Sequence, residues 1–468
     1  MSAEFDFMTA LDLRRLIMSK QISPVEVTRR ALECADATQP TLNAFVTLMP
    51  EQSLAAARIA EDMVMRGAPV GLLHGLPISV KDLIAVKDVR LTSGSRVMGD
   101  NWAVADAPAV ERVRAAGAII IGKTTTSEFG CKPVGDSPLT GITRNPWNPD
   151  KTPGGSSAGA AASVAAGVTP FALATDGGGS IRIPCSFTGL VGLKGQFGRV
   201  PVWPTSATPT LAHVGPIARN VADMALLFSV IAGYDSRDPF SVAGPVPDVL
   251  GMTQASVAGL RVAYSPTLGY ARPDPKVRQV TDHAAEVFEA LGCRVDVVDT
   301  IFETDPATLW TAEFYAGVGI RLRKVLEQER EKLDPAVASI LEHALSQRMA
   351  DYYTKVFERY ELRDAMRRFF ESYDLLISPV VPVTSVMVGR DIPPEFSDRN
   401  LVSWVFYTYA FNLTGNPAGT ICGGVAADGM PVGLQIVGRS HAEGDVVRAA
   451  AAFERAQPIG YNWPPRGG

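Results

Sequence analysis

The period of the apolar positions changes repeatedly along this chain, and the changes mark out strands and helices in alternation. Ser23-Pro24-Val25-Glu26 has the form of a capping box with proline at the first helical position, predicting a helix to about Asp36. A helical period over residues 51–66 gives way to Leu76-Pro77-Ile78-Ser79-Val80, a short apolar run that reads as a buried strand with Lys81 at its end. Residues 109–116 are again helical and stop at Gly117. They lead into Ala118-Ile119-Ile120-Ile121, a run typical of a strand covered on both faces. Loop chemistry follows through Asn145-Pro146-Trp147-Asn148-Pro149. The small-residue run at 158–167 then reads as a buried helix to which another backbone can come close. Phe171-Ala172-Leu173-Ala174 predicts a strand feeding the glycine turn Asp176-Gly177-Gly178-Gly179. Beyond it the pattern predicts helices at about 221–231 and 276–291 and strands at 260–264, 293–298, 374–378, 418–425 and 433–437. Residues 305–370 are mostly helical in period and richer in charge and aromatics, and 458–468 reads as loop or tail. With no internal repeat and no linker, the expected fold is one α/β domain over residues 1–468: a central mixed, twisted sheet flanked by helices, with a helical, substrate-shaping insertion at about 305–370.

Composition narrows the function classes. The 468 residues are 46% hydrophobic and 20% charged with a net charge of -5, as in an ordinary globular protein. Charges of both signs are interspersed, so no basic run is available for a nucleic-acid backbone or an anionic membrane surface. No apolar stretch approaches the ~18 residues of a membrane span. The N-terminal MSAEFDFMTALDL is acidic and lacks the features of a secretory signal. Cys34, Cys131, Cys185, Cys293 and Cys422 are scattered singly, which fits a reducing compartment. A cytoplasmic protein acting on small molecules, as monomer or homodimer, is expected. The histidines His74, His213, His283, His343 and His441 are equally isolated, so no metal site is expected.

The candidate chemistry sits on two glycine-serine motifs, Pro153-Gly154-Gly155-Ser156-Ser157-Ala158-Gly159 and Asp176-Gly177-Gly178-Gly179-Ser180-Ile181-Arg182. Consecutive glycines can aim several amide N–H groups at one point, as an oxyanion hole requires, and Ser180 follows such a run directly. A single motif of this kind is more often a flexible loop. A serine hydroxyl also needs a base, and a buried lysine whose pKa has fallen can serve. Lys81 and Lys123 both end apolar strands, although a lysine at a strand end is more often solvated or ion-paired.

Taken together, these stretches resemble the amidase signature family. The resemblance runs through Gly75-Leu76-Pro77-Ile78-Ser79-Val80-Lys81-Asp82, residues 117–129, Asn145-Pro146-Trp147 and the two serine motifs, with Ser156 and Ser180 separated by 24 residues. It continues in Asn412-Leu413-Thr414-Gly415-Asn416-Pro417 and in residues 429–438. It implies a serine hydrolase that cleaves carboxamide C–N bonds through an acyl-enzyme on Ser180. Ser156 is the implied bridging serine, preceded by a cis peptide, and Lys81 the implied base. Gly177, Gly178, Gly179 and Ser180 would supply oxyanion-hole amides. Apart from the resemblance, Arg182 is expected to pair with Asp176 and fix the loop, with substrate binding as the alternative, and Ser157 either to donate a supporting hydrogen bond or to cap a helix. Aryl amides, esters and carbamates (urethanes) fall within the implied range.

Two other readings are available. A glutamine-hydrolysing subunit of a tRNA-dependent amidotransferase would share the same triad. Gly155-Ser156-Ser157-Ala158-Gly159 also satisfies G-x-S-x-G, the nucleophile elbow of α/β-hydrolases, with Ser157 attacking and His441 late in the chain, although turn residues rather than a strand precede it. Residues 202–213 and 310–370 are expected to shape the substrate site, and Trp203, Trp310, Phe314 and Tyr315 to make it apolar or to pack the insertion onto the core.

Overall fold

The computed structural model describes residues 5–458, so the predicted tail lies, except for its first residue, outside the described residues. The strands are β1 (Phe45–Leu48), β2 (Pro77–Lys81), β3 (Ile119–Thr124), β4 (Asp136–Ser137), β5 (Gly141–Ile142), β6 (Phe171–Asp176), β7 (Val191–Lys194), β8 (His213–Ala218), β9 (Arg261–Tyr264), β10 (Arg294–Val297), β11 (Leu375–Pro379), β12 (Ala418–Val425) and β13 (Pro431–Gly438). β4 and β5 form a small antiparallel pair. The other eleven make one mixed sheet in the order β1-β3-β2-β6-β8-β7-β12-β13-β11-β9-β10. This is the expected α/β architecture.

Strands β2, β3 and β6 run parallel, and every residue of β2 and β3 is buried, which is why those segments are almost purely apolar. Helix Ala158–Ala165 is buried at every position. Its Gly159 makes the close approach that the small-residue run predicts: a Cβ there would lie 2.1 Å from the Ala44 carbonyl oxygen. Residues within 305–370 form helices Ala307–Gln328, Pro335–Leu345 and most of Met349–Ser372, packed over a second core that includes Trp310, Tyr315, Leu341, Trp404 and Tyr407.

Several elements depart from the sequence reading. The capping box forms, with Val25 N–H donating to Ser23 Oγ and Ser23 N–H to Glu26, but the helix runs from Pro24 to Leu42 rather than stopping near Asp36. It absorbs Pro40 in its last turns and ends on Asn43 in the left-handed conformation. β1, β7 and β8 are invisible to the pattern: two are only four residues long, and His213, Gly215 and Pro216 interrupt the third.

Candidate active site

Lys81 ends β2 with no exposed surface. Its ammonium nitrogen lies 2.6 Å from Ser156 Oγ and 2.8 Å from Thr175 Oγ1, so hydroxyls rather than carboxylates surround it. Burial drives its pKa well below that of a free lysine, and the Asp176 charge only partly opposes the shift. The Gly155–Ser156 peptide is cis. Gly155 presses on the neighbouring chain so closely that a Cβ there would sit 2.3 Å from the Val134 carbonyl oxygen.

The glycine turn is held from below by Asp176. Its buried carboxylate accepts from Gly179 N–H at 2.8 Å and Ile181 N–H at 3.2 Å. It also takes a two-pronged pair from Arg182, at 3.0 Å (Nε) and 2.9 Å (Nη2), and a bond from Asn412 at 2.9 Å. Burial pushes the Asp176 pKa up, but Arg182 and Asn412 outweigh it and hold the group well below the usual carboxylate range. The Gly179 N–H is thus engaged by Asp176. Among the described residues, the N–H groups of Gly177, Gly178 and Ser180 meet no acceptor.

Two carbonyls of the turn are pinned from above. Trp310 Nε1 donates to Gly177 O at 2.7 Å and Thr408 Oγ1 to Gly178 O at 2.6 Å. In a trans peptide the C=O and the following N–H point in opposite directions. The bond from Trp310 thus turns Gly178 N–H away from the indole. Each glycine is also required sterically. A Cβ on Gly177 would lie 2.8 Å from Phe314 and one on Gly178 2.6 Å from Trp310. A Cβ on Gly179, at φ +127°, would lie 2.4 Å from Thr408.

An amidase family model matches residues 26–447, nearly the whole chain. The chain belongs to the amidase signature family. It is similar to an acylamidase of Rhodococcus erythropolis, with 34% identity over 459 residues covering 97% of this chain and 96% of that one. It is equally similar to a glutamyl-tRNA(Gln) amidotransferase subunit of Geobacter metallireducens, with 34% identity over 476 residues covering 96% and 97%. Among solved structures, a bacterial aryl acylamidase of the amidase signature family superposes with a TM-score of 0.94 at 29% identity, each chain covered in full. A 6-aminohexanoate cyclic dimer hydrolase superposes with a TM-score of 0.90 at 27% identity, covering 98% of this chain and 99% of that one. The protein is thus a serine hydrolase of amides.

Membership in the amidase family displaces the α/β-hydrolase reading, and the geometry says why. Ser157 is fully buried at the start of helix Ala158–Ala165, and its hydroxyl donates to Thr175 O at 3.1 Å instead of facing a substrate or capping the helix. His441 lies against Arg199, 3.3 Å from its guanidinium. Lys123, the rival lysine, pairs with Asp82 at 2.8 Å. In the parallel register Lys81 faces Thr124 while Lys123 faces Val80, so the two lysines point to opposite sides of the sheet. Cys131 and Cys185 are buried, and burial pushes both thiols up, out of reactive range.

Ser156, Thr175, Asp176, Gly177 and Ser180 all line one cleft of about 410 Å³. Its walls come from residues 83–98, the Phe129-Gly130 turn, residues 201–208 and helix Ala307–Gln328. Of the four aromatics expected there, Trp203 and Phe314 line the cleft. Trp310 instead braces the glycine turn, and the buried Tyr315 donates to Cys131 O at 3.0 Å. Residues that the sequence reading missed are Thr175, which shares Lys81 with Ser156, and Thr408, which holds Gly178. Thr175 immediately precedes the Asp176 motif, whereas nothing local to Thr408 marks it. Among the described residues no helix is long and apolar enough to cross a membrane, and no cluster of three metal-ligating side chains occurs.

Proposed function

We propose that this amidase works through an acyl-enzyme on Ser180, with Ser156 as proton bridge and Lys81 as base. The observation that carries the reading is the buried Lys81, 2.6 Å from Ser156 Oγ beneath the cleft that Ser180 also lines. Neutral Lys81 takes the Ser156 proton as Ser156 takes that of Ser180, and Ser180 Oγ attacks the amide carbonyl. The oxyanion meets the N–H groups of Gly177, Gly178 and Ser180. Ser156 then protonates the leaving amine, and water, activated by the same base, releases the acid. No metal or organic cofactor takes part.

The preferred substrates are small amides with an apolar or aryl arm, since Trp203, Phe314 and many aliphatic side chains line the cleft. Helix Ala307–Gln328 shapes that preference by placing Phe314, Val318 and Leu322 along one wall. Esters and carbamates offer the same carbonyl geometry with better leaving groups and are expected as secondary substrates. The test is covalent labelling by a fluorophosphonate probe: Ser180→Ala should abolish it with folding intact, while Ser157→Ala should retain most of it. Full labelling of Ser180→Ala would remove the assignment.

The amidotransferase relatives favour a second reading, hydrolysis of glutamine to supply ammonia to a partner. The apolar cleft weighs against so polar a substrate. Turnover of aryl amides by the purified chain, with glutamine left untouched, decides for the free-standing amidase.

A further inference from the structure

The cleft beside Ser180 is apolar along most of its length, and three ionisable side chains line it: Asp176, His213 and Arg321. Asp176 is neutralised by the paired Arg182. His213 directs Nδ1 toward the carbonyls of Leu211 and Asp176, at 2.8 and 3.2 Å, and burial, with Lys194 adding to it, drives its pKa well down, leaving the ring uncharged. Arg321 differs from both. It is exposed, and among the described residues it makes no hydrogen bond or ion pair.

Its position is fixed by the helix that carries it. On Ala307–Gln328, residues Phe314, Val318, Arg321 and Leu322 fall on one face at the helical period, and that face lines the cleft. Phe314 lies against the glycine turn at Gly177. Gly317 lets the helix press onto the opposite wall, where a Cβ would lie 2.2 Å from the Ala207 carbonyl oxygen. The seven residues from Phe314 to Arg321 advance the helix by about 10 Å. A guanidinium is a planar fork of donors matched to a carboxylate, and apolar walls strengthen such a pair once a substrate displaces water from them.

We propose that Arg321 is a specificity-determining residue that receives a carboxylate at the far end of the substrate's arm, since it stands about 10 Å along the helix axis beyond Phe314, which abuts the glycine turn, making amides with an apolar arm ending in an anion the preferred class. The inference rests on Ser180 as nucleophile. Glutamine does not meet it, because its carboxylate lies only a few bonds from its amide.

The test compares nitroanilides whose acyl arm ends in a free carboxylate with counterparts capped by an uncharged methyl ketone, over arms shorter than, equal to and longer than that span. A second series carries the anion on the amine side. For wild type the free acid should exceed the capped form by about tenfold in kcat/KM at the matching length, mainly through KM, a difference of about 1.4 kcal/mol. The ratio should fall toward unity in Arg321→Ala, invert in Arg321→Glu and be partly kept in Arg321→Lys. Added salt should shrink it in wild type, and that arm decides if the variants fail to fold. A ratio near unity at every length in both series, one unchanged in folded Arg321→Ala, or one indifferent to salt overturns the proposal. If wild type cleaves capped substrates through Ser180 without such a preference, only the anion subsite falls. If neither substrate acylates Ser180, the nucleophile assignment falls with it.

Discussion

The side chain of Lys81 is buried, and among the described residues its hydrogen-bond partners are the hydroxyls of Ser156 and Thr175 rather than a carboxylate. A protonated Lys81 cannot accept from Ser156, so acylation should fall as pH drops through its lowered pKa. That limb should lie below the value of about 10.4 for free lysine. Lys81→Ala should flatten the limb and depress amide turnover more than ester turnover, because esters depend less on protonation of the leaving group. Single-turnover acylation against pH reads this, and an unchanged limb in Lys81→Ala would assign the base elsewhere. The Asp176 carboxylate works against the shift. Its removal in Asp176→Asn should therefore move the acid limb of the residual activity to lower pH, and a shift upward would contradict the reading. Arg182 is fully buried against that carboxylate, so Arg182→Ala leaves a charge without its partner. Removing one member of such a pair costs roughly 3–5 kcal/mol. Denaturant unfolding of Arg182→Ala should show a loss of that size, and a loss close to zero would deny the pair its structural role.

At the level of elements, one residue of register separates the proposed base from the ion-paired lysine. β2 and β3 run side by side, and because side chains alternate across a strand, Lys81 emerges beneath Ser156 while Lys123 emerges on the other face beside Asp82. The turn after β6 is governed similarly, by what packs on it. Trp310 holds Gly177 O and fills the space where a side chain at Gly178 would go. Gly178→Ala should displace the indole and turn the amide it aims. Overpacking of this kind costs about 1–3 kcal/mol. Loss of one oxyanion donor lowers kcat by about 10²–10³. Steady-state kinetics and thermal unfolding of Gly178→Ala measure the two effects separately. Wild-type kcat in that variant would show that the Gly178 N–H is not a donor.

On the scale of the whole molecule, the site is assembled from both halves of the chain. Arg182 opens a helix just after the glycine turn, yet its guanidinium reaches Thr408 O at 2.9 Å, Asn412 Oδ1 at 2.6 Å and Gln435 Oε1 at 2.7 Å. Gln435 sits on β13, and its amide nitrogen in turn donates to Ser378 Oγ and Tyr407 O. The posture of the turn thus depends on residues more than two hundred positions away, one of them on β13. Gln435→Leu deprives a buried guanidinium of one acceptor, which should destabilise the fold by about 1–3 kcal/mol and slow labelling of Ser180. A double-mutant cycle with Arg182→Ala should give a coupling well away from zero. Additive losses would mean that β13 supports the sheet without positioning the turn.

The sequence by itself determined whatever local chemistry controls. The capping box at Ser23, the buried runs of β2 and β3, the backbone freedom of the glycine turn and the small-residue run that leaves room at Gly159 are all properties of neighbouring residues. The family motifs, spread over most of the chain, also marked Lys81, Ser156 and Ser180. Tertiary structure decided matters that hinge on which distant groups meet. It gave the Gly179 N–H to Asp176, sent Ser157 to the Thr175 carbonyl, and withdrew Trp310 and Tyr315 from the cleft while leaving Trp203 and Phe314 in it. Each outcome reflects a buried donor or acceptor that must find a partner. No period or propensity along the chain specifies that partner, because the choice is made only when the sheet and the helices above it close around the turn.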